Sequence, residues 1–251
     1  MPRSDDGAHC SGRSTRGSNL ESVQRDSISF AGSPAEVFES IEDAARTCAR
    51  DISSIIDASL EAGEICRVAF CGGNAARLVL LYLTAIRNTF DGVEFYLVDE
   101  RCVAPDDPQR NDGLLIESFD GRAQIHSIPA ERGPVEGASA YATTLAGLPK
   151  LDIVFLSIGA DGHVASLFPD HPSAASLDTV VAVTDAPKPP ATRVSLSIPT
   201  MRNATHRIVA AFGGEKAGVI ARIHGGWASP AVQVQPTRWY LDRAATSDIR
   251  G

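Results

Sequence analysis

Asp161-Gly162-His163 sets an imidazole two residues from a carboxylate, directly after the apolar run Leu151 to Ile158. Imidazole changes charge near neutral pH, so His163 could take a proton from water and later return it to a leaving group, with Asp161 beside it. The same histidine could instead cap a following helix. Asp99-Glu100-Arg101 puts two carboxylates and a guanidinium on successive residues. A carboxylate could act as a base or orient one, and the arginine could grip a phosphate with two hydrogen bonds. Taken alone, the run also fits a solvated ion pair. Gly72-Gly73, with Asn74 and Arg77 after it, would let the N–H groups of a helix start approach an anion. It is neither a Walker A loop nor a GxGxxG fingerprint, and a tight turn explains it equally. Lys188, Arg193 and Lys216 suit either a phosphorylated ligand or plain surface charge. Asp161, His163, Asp170 and His171 could surround a metal, but their spacing matches no HExxH-type pattern, so no metal is expected.

These residues need strands to hold them. Ile65 to Phe70, Val93 to Val98, Leu151 to Ile158, Val180 to Val183, Arg193 to Ile198 and Arg207 to Phe212 read as strands. Helical runs are expected from Ala75 to about Arg87 and from Lys216 through Ile223. A longer helix is expected to start at Ser33-Pro34-Ala35-Glu36, with Ser33 as N-cap and Glu36 completing a capping box. Its apolar stripe runs from Val37 and Phe38 through Ile52 and Ile56 to Leu60, and Gly63 would end it. Strands alternating with helices imply an α/β fold, a mostly parallel sheet flanked by helices. The expected domain spans residues 28–246, with a small second lobe after Asp161. Residues 1–27 and 247–251 read as tails, the first too poor in large aliphatics to offset its ordering entropy. In open α/β sheets, ligands bind beyond the carboxyl ends of the strands. Gly72-Gly73, Asp99-Glu100-Arg101, Asp161-Gly162-His163 and Gly214-Glu215-Lys216 all directly follow strand candidates, so four loops could converge on one small molecule. Lys188 falls in Pro187-Lys188-Pro189-Pro190, expected to be a rigid extended stretch.

Composition narrows the class of ligand. The 251 residues are 43% apolar and 22% charged, ordinary for a globular protein. Thirty-one acidic against 23 basic side chains give a net charge of −8, which argues against a general nucleic-acid partner. No apolar run approaches the roughly 20 residues of a membrane span, and the N-terminus lacks a secretory pattern. The five cysteines show no CxxC spacing, which points to reduced thiols and a cytoplasmic location.

Asp99-Glu100-Arg101-Cys102-Val103 followed by Asn111 resembles the DERxV…N signature of the glucosamine-6-phosphate isomerase/6-phosphogluconolactonase family. Gly159-Ala160-Asp161-Gly162-His163 through Pro169 resembles that family's GxDGHxASLFP signature. Pro187 to Pro190 with Arg193, Gly214-Glu215-Lys216 and Trp239-Tyr240-Leu241-Asp242 extend the resemblance over about residues 30–245. It implies a Rossmann-like open α/β fold of the phosphosugar isomerase type, no cofactor, and hydrolysis of 6-phospho-glucono-1,5-lactone in the pentose phosphate pathway. His163 would activate the water and Asp161 position it, with Asp99 and Arg101 beside them. Arg101, Arg193, Lys188 and Lys216 would bind phosphate or stabilise oxyanion charge, and Gly72, Gly73, Asn74, Arg77 and Asn111 would line the ligand.

The loop Cys71-Gly72-Gly73-Asn74-Ala75-Ala76-Arg77 departs from the family's SGGSTPR pattern and lacks its hydroxyls. Two lost hydrogen bonds to a charged group cost a few kcal/mol, at roughly 1.5–3 kcal/mol each. Backbone N–H groups, the Asn74 amide and Arg77 could compensate. Ser157 and Val164 are smaller departures, where glycine and threonine are usual. Two alternatives therefore stand beside the lactonase: a glucosamine-6-phosphate deaminase-like enzyme, and a catalytically weak sugar-phosphate-binding protein. Nothing in the sequence sets the oligomeric state.

Overall fold

The computed structural model describes residues 24–249. Its first half runs β1 (Arg25–Phe30), β2 (Ser33–Phe38), α1 (Ile41–Glu61), β3 (Cys66–Phe70), α2 (Asn74–Ile86), β4 (Val93–Leu97), β5 (Asp99–Arg101), α3 (Asn111–Phe119) and β6 (Gln124–His126). Then follow α4 (Pro134–Ala146), β7 (Ile153–Ser157), β8 (Val180–Val183), β9 (Arg193–Leu196), α5 (Ile198–Arg202) and β10 (His206–Ala211). The chain closes with α6 (Ala217–His224), α7 (Pro230–Gln233) and β11 (Arg238–Asp242).

The main sheet has the order β1-β2-β11-β10-β7-β3-β4-β6 and is parallel except for the β1–β2 hairpin. Successive residues of a strand face opposite sides, and β11 shows what covers each. The Tyr240 hydroxyl bonds to Asp51 of α1. Its neighbour Trp239 packs edge-on against Phe30, which stacks on His224 of α6. Helices thus lie on both faces, and β3, β7 and β10 are apolar at Val68 to Phe70, Ile153 to Leu156 and Ile208 to Ala211, because neither face meets water there. The expected α/β architecture holds.

From β3 the chain builds outward through β4 to β6, then returns to β7 and builds the other way through β10 and β11. The direction reverses between β3 and β7, and the loops leaving those two strands diverge there into a cleft.

A second, antiparallel sheet has the order β5-β9-β8. Val98 joins the two sheets: its N–H donates to Phe70 O of β3 (3.0 Å), and its carbonyl accepts from Leu196 N of β9 (2.7 Å). The expected small lobe after Asp161 therefore takes a different form, because one of its strands, Asp99–Arg101, comes from well before it. Those three residues are a strand and not the charged loop they resemble.

Other expectations need correction. Ser33-Pro34-Ala35-Glu36 does not start a helix but forms β2, whose Ala35 to Phe38 pair with β11. The operative cap is Ser40, which accepts from Asp43 N at 3.1 Å and donates to the Asp43 carboxylate at 2.8 Å. Gly63 follows α1 as expected, with φ +77°. Residues 25–27, assigned to the tail, belong to β1; residues 1–23 lie outside the described residues. Ile249, placed in a C-terminal tail, packs against the core. Pro187 to Pro190 is no extended rod, since Ala186 N bonds to Ala191 O at 2.9 Å and folds the segment into a loop. No helix among the described residues is long and apolar enough to cross a membrane.

The short edge strand β6 ends at His126, opposite Tyr96, and leaves the next residue of β4 unpaired on that side. The buried Tyr141 hydroxyl of α4 fills the gap, donating to Leu97 O (2.9 Å) and accepting from Leu97 N (3.0 Å). Tyr141→Phe would leave both backbone groups buried without partners. It is expected to lower unfolding free energy by about 2–4 kcal/mol in urea denaturation, against little change for Tyr82→Phe, which keeps the half-buried ring and removes only its hydroxyl.

Candidate active site

The loop after β7 is closed on itself by Gly162 N to Gly159 O (2.9 Å) and Gly159 N to His163 O (2.8 Å). This turn brings the Asp161 carboxylate back onto the imidazole, with His163 Nδ1 2.5 Å from Asp161 Oδ1. Donation from Nδ1 leaves Nε2 with its lone pair, the state a general base requires. The ring also packs on Phe168, centroids 4.8 Å apart. The second carboxylate oxygen of Asp161 takes Lys188 Nζ at 2.8 Å. Desolvation pushes the Asp161 carboxyl up, but the hydrogen bonds from His163 and Lys188 outweigh it and hold the group well below the usual carboxylate range. A Cβ at Gly159 would overlap both the imidazole and the carboxylate, so only glycine admits this pair.

Strand alternation sorts Asp99-Glu100-Arg101 into two jobs. Asp99 and Arg101 line the cleft; Glu100, between them, is turned the other way and fully buried. Its carboxylate accepts from Arg101 N (2.8 Å), Asn111 N (2.7 Å) and Asp112 N (2.8 Å). It therefore caps α3 from another element, where Arg110 supplies no side-chain cap of its own. Burial pushes the Glu100 carboxyl up to about 7 against the pull of those three N–H groups. Asp99 accepts from Ser166 Oγ (2.6 Å) and Asn111 Nδ2 (3.2 Å), and the same Asn111 amide donates to Asp99 O (2.9 Å).

Arg101 and Arg193 stand directly opposite in the β5–β9 ladder, and both reach the cleft. Like charges facing each other across a ladder are unfavourable without an anion between or beside them. Arg193 spends its Nε on Pro190 O (2.9 Å) and its Nη2 on Lys188 O (3.0 Å) and Pro189 O (3.1 Å). Desolvation lowers its pKa, the Asp99 charge raises it, and Arg101 lowers it further. Arg101 Nη1 donates to Gln109 O at 2.5 Å, while its Nε has no partner.

The facing wall is the start of α2. Gly73 is its N-cap, with no side-chain bond to the first N–H groups, and Gly72, Gly73 and Asn74 line the cleft. A Cβ at Gly72 would overlap the Asn111 amide, which explains the first glycine. Lys216 enters from the loop after β10, its Nζ 3.7 Å from Glu215. Ile41, Leu78 and Phe212 add an apolar wall to a cavity of about 400 Å³.

The structure thus gathers His163, Asp99, Arg101, Asn111, Arg193, Lys216 and Gly72-Gly73-Asn74 around one cleft, with Asp161 behind His163. Two expected ligand contacts fall elsewhere. Arg77 lies along the outer face of α2 and pairs with Glu117 of α3 (3.4 Å), both side chains exposed. Lys188 sits on Asp161 rather than on the cleft wall. His171 bonds to Asp185 at 2.9 Å, and among the described residues no three His, Cys, Asp or Glu side chains are grouped to hold a metal. Ser166, Phe168 and Glu215 were missed as site residues. For Ser166 the signal lies in its place three residues after His163.

Residues 39–244 match the family described as Glucosamine-6-phosphate isomerases/6-phosphogluconolactonase. The chain belongs to this family. The 6-phosphogluconolactonase of Streptomyces coelicolor is 34% identical over 230 residues, 80% of this chain and 88% of that protein. The 6-phosphogluconolactonase of Mycobacterium tuberculosis is 30% identical over 243 residues, 86% of this chain and 98% of that protein. Among solved structures, 6-phosphogluconolactonase from Trypanosoma cruzi superposes with a TM-score of 0.79 over 90% of this chain and 99% of that one. At 21% identity, that likeness speaks for the family's fold alone.

Two outcomes test the site's electrostatics. The depressed Asp161 carboxyl contributes stability that is present above its unfolded pKa, about 4, and lost as pH falls toward its folded value. Asp161→Asn is therefore expected to destabilise the protein at pH 7, with the gap to wild type closing below pH ~4 in thermal melts. Glu100→Gln must turn an amide NH₂ toward backbone donors and is expected to cost about 1–3 kcal/mol in urea unfolding.

Proposed function

We propose that this chain hydrolyses 6-phospho-glucono-1,5-lactone to 6-phosphogluconate, the lactone-opening step of the pentose phosphate pathway. The observation that carries the mechanism is the Asp161–His163 pair, which leaves Nε2 free beside a cleft with a cationic wall. Family membership and the names of the full-length relatives support the reaction itself.

In this reading His163 Nε2 takes a proton from water as its oxygen bonds to lactone C1. The carbonyl π pair moves onto oxygen, and the resulting oxyanion draws on the nearby cations. The intermediate then collapses, the C1–ring-oxygen bond breaks, and the imidazolium returns its proton to that oxygen. Asp161 holds the tautomer and offsets the imidazolium charge while it exists, without taking the proton.

The phosphate is assigned to the wall opposite His163: the open N-terminus of α2 at Gly73-Asn74, Arg101, and Nη1 of Arg193, which makes a long contact to Ser166 Oγ (3.5 Å). The lost hydroxyls of the altered loop are compensated by these backbone N–H groups, the Asn74 amide and the paired guanidiniums, since their charges need an anion. Arg77 plays no part in this assignment, because it pairs with Glu117. The Asp99 carboxylate and the Asn111 amide oxygen would accept hydrogen bonds from sugar hydroxyls, since the Asn111 Nδ2 is committed to Asp99. A cytoplasmic location is part of the same proposal, and the cysteines Cys48, Cys66, Cys71 and Cys102, free among the described residues, are compatible with it.

Acid release from fresh 6-phosphogluconolactone, against the spontaneous rate, tests the reading. Wild-type protein is expected to accelerate it, and His163→Ala to lose about 10²–10⁴-fold. Arg101→Ala is expected mainly to raise KM. Ammonia release from glucosamine 6-phosphate would transfer the chain to the deaminase reading. Sugar-phosphate binding without any turnover would make it a binding protein.

A further inference from the structure

We infer that Lys188 is a positioning residue for His163, acting through Asp161, and not a phosphate ligand; its catalytic consequence rests on the lactonase reading above. Lys188 Nζ lies 2.8 Å from Asp161 Oδ2, and Asp161 Oδ1 lies 2.5 Å from His163 Nδ1. One carboxylate is thus held from both sides, and its plane sets the direction in which the imidazole presents Nε2.

The lysine is itself fixed at its backbone. Arg193, 5% exposed, donates to the carbonyls of Lys188, Pro189 and Pro190, and Ala186 N closes the loop on Ala191 O. Arg193 also reaches the cleft, with its guanidinium 5.6 Å from the Phe168 ring on which His163 packs. The same guanidinium that faces the ligand therefore anchors the loop that steadies the base.

The ion pair matters for charge as well as direction. A lysine on the far oxygen offsets part of the Asp161 charge, so the carboxylate orients the imidazole without holding its proton too tightly. The other charged groups around His163 are Arg193 through Phe168, Glu215 and Lys216 from the loop after β10, and Asp99 and Arg101 in the β5 wall. None of these is bonded to Asp161. Lys188 is the one whose removal alters that carboxylate directly.

The Lys188 side chain is 46% exposed, so its ion pair adds little to stability and Lys188→Met is expected to fold. In the full-length protein, Lys188→Met should lower kcat about tenfold with little change in KM. It should also move the acid limb of the pH–rate profile to higher pH, while Lys188→Arg restores both. An increase in KM at unchanged kcat would overturn the inference and return Lys188 to the phosphate.

A second readout does not depend on turnover. The His163 Nδ1 proton, assigned by its loss in His163→Gln, should give a far-downfield NMR resonance protected from water exchange. It is expected to broaden in Lys188→Met and return in Lys188→Arg. A resonance equally sharp in Lys188→Met would overturn the positioning role even if the substrate reading also failed. Loss of wild-type lactone hydrolysis with this NMR pattern intact would count against the substrate reading alone.

Discussion

Val98 is the residue on which the cleft depends. Its N–H belongs to the parallel sheet and its carbonyl to the small antiparallel one, so the chain leaves β4 and enters β5 without a loop. That transfer carries Asp99 and Arg101 over the carboxyl end of the main sheet, above the point between β3 and β7 where strand order reverses. A parallel sheet alone would present only loops and helix starts there. The second sheet adds a rigid wall whose side chains are set by strand pairing, with Arg101 fixed opposite Arg193.

Charge balance follows from that wall. The molecule carries a net −8, yet its cleft gathers two arginines and Lys216. Only Asp99, held by Ser166 and Asn111, partly neutralises the guanidiniums. A site built this way is poised for an anion, while the acidic exterior keeps polyanions away. The unbonded N–H groups at the start of α2 add a donor set that does not depend on side-chain hydroxyls. This is why the run Asn74-Ala75-Ala76 is compatible with phosphate binding.

Much of the architecture was legible because Val68 to Phe70, Ile153 to Leu156 and Ile208 to Ala211 are buried on both faces and read as unbroken apolar runs. The start of α1 was misplaced because Ser33…Glu36 and Ser40…Asp43 both have capping-box chemistry; only the pairing of β2 with β11 separates them. The helix α3 escaped notice since its N-terminus is capped by Glu100, eleven residues upstream, and carries no local signal. The strand β11 was seen only as part of a motif. At the site, His163, Asp161, Asp99, Arg101 and the glycine loop were visible from type and position. The inward turn of Glu100, the outward turn of Arg77 and the seat of Lys188 on Asp161 were not. Each is decided by a partner distant in sequence, and spacing does not encode it.

A structure of the full-length protein with bound 6-phosphogluconate tests the division of the cleft most directly. The C1 carboxylate is expected within hydrogen-bond reach of His163 Nε2, with the phosphate on Asn74, Arg101 and the first N–H groups of α2. Phosphate seated against His163, with C1 at the arginine wall, would contradict the assignment and remove His163 from the role of base.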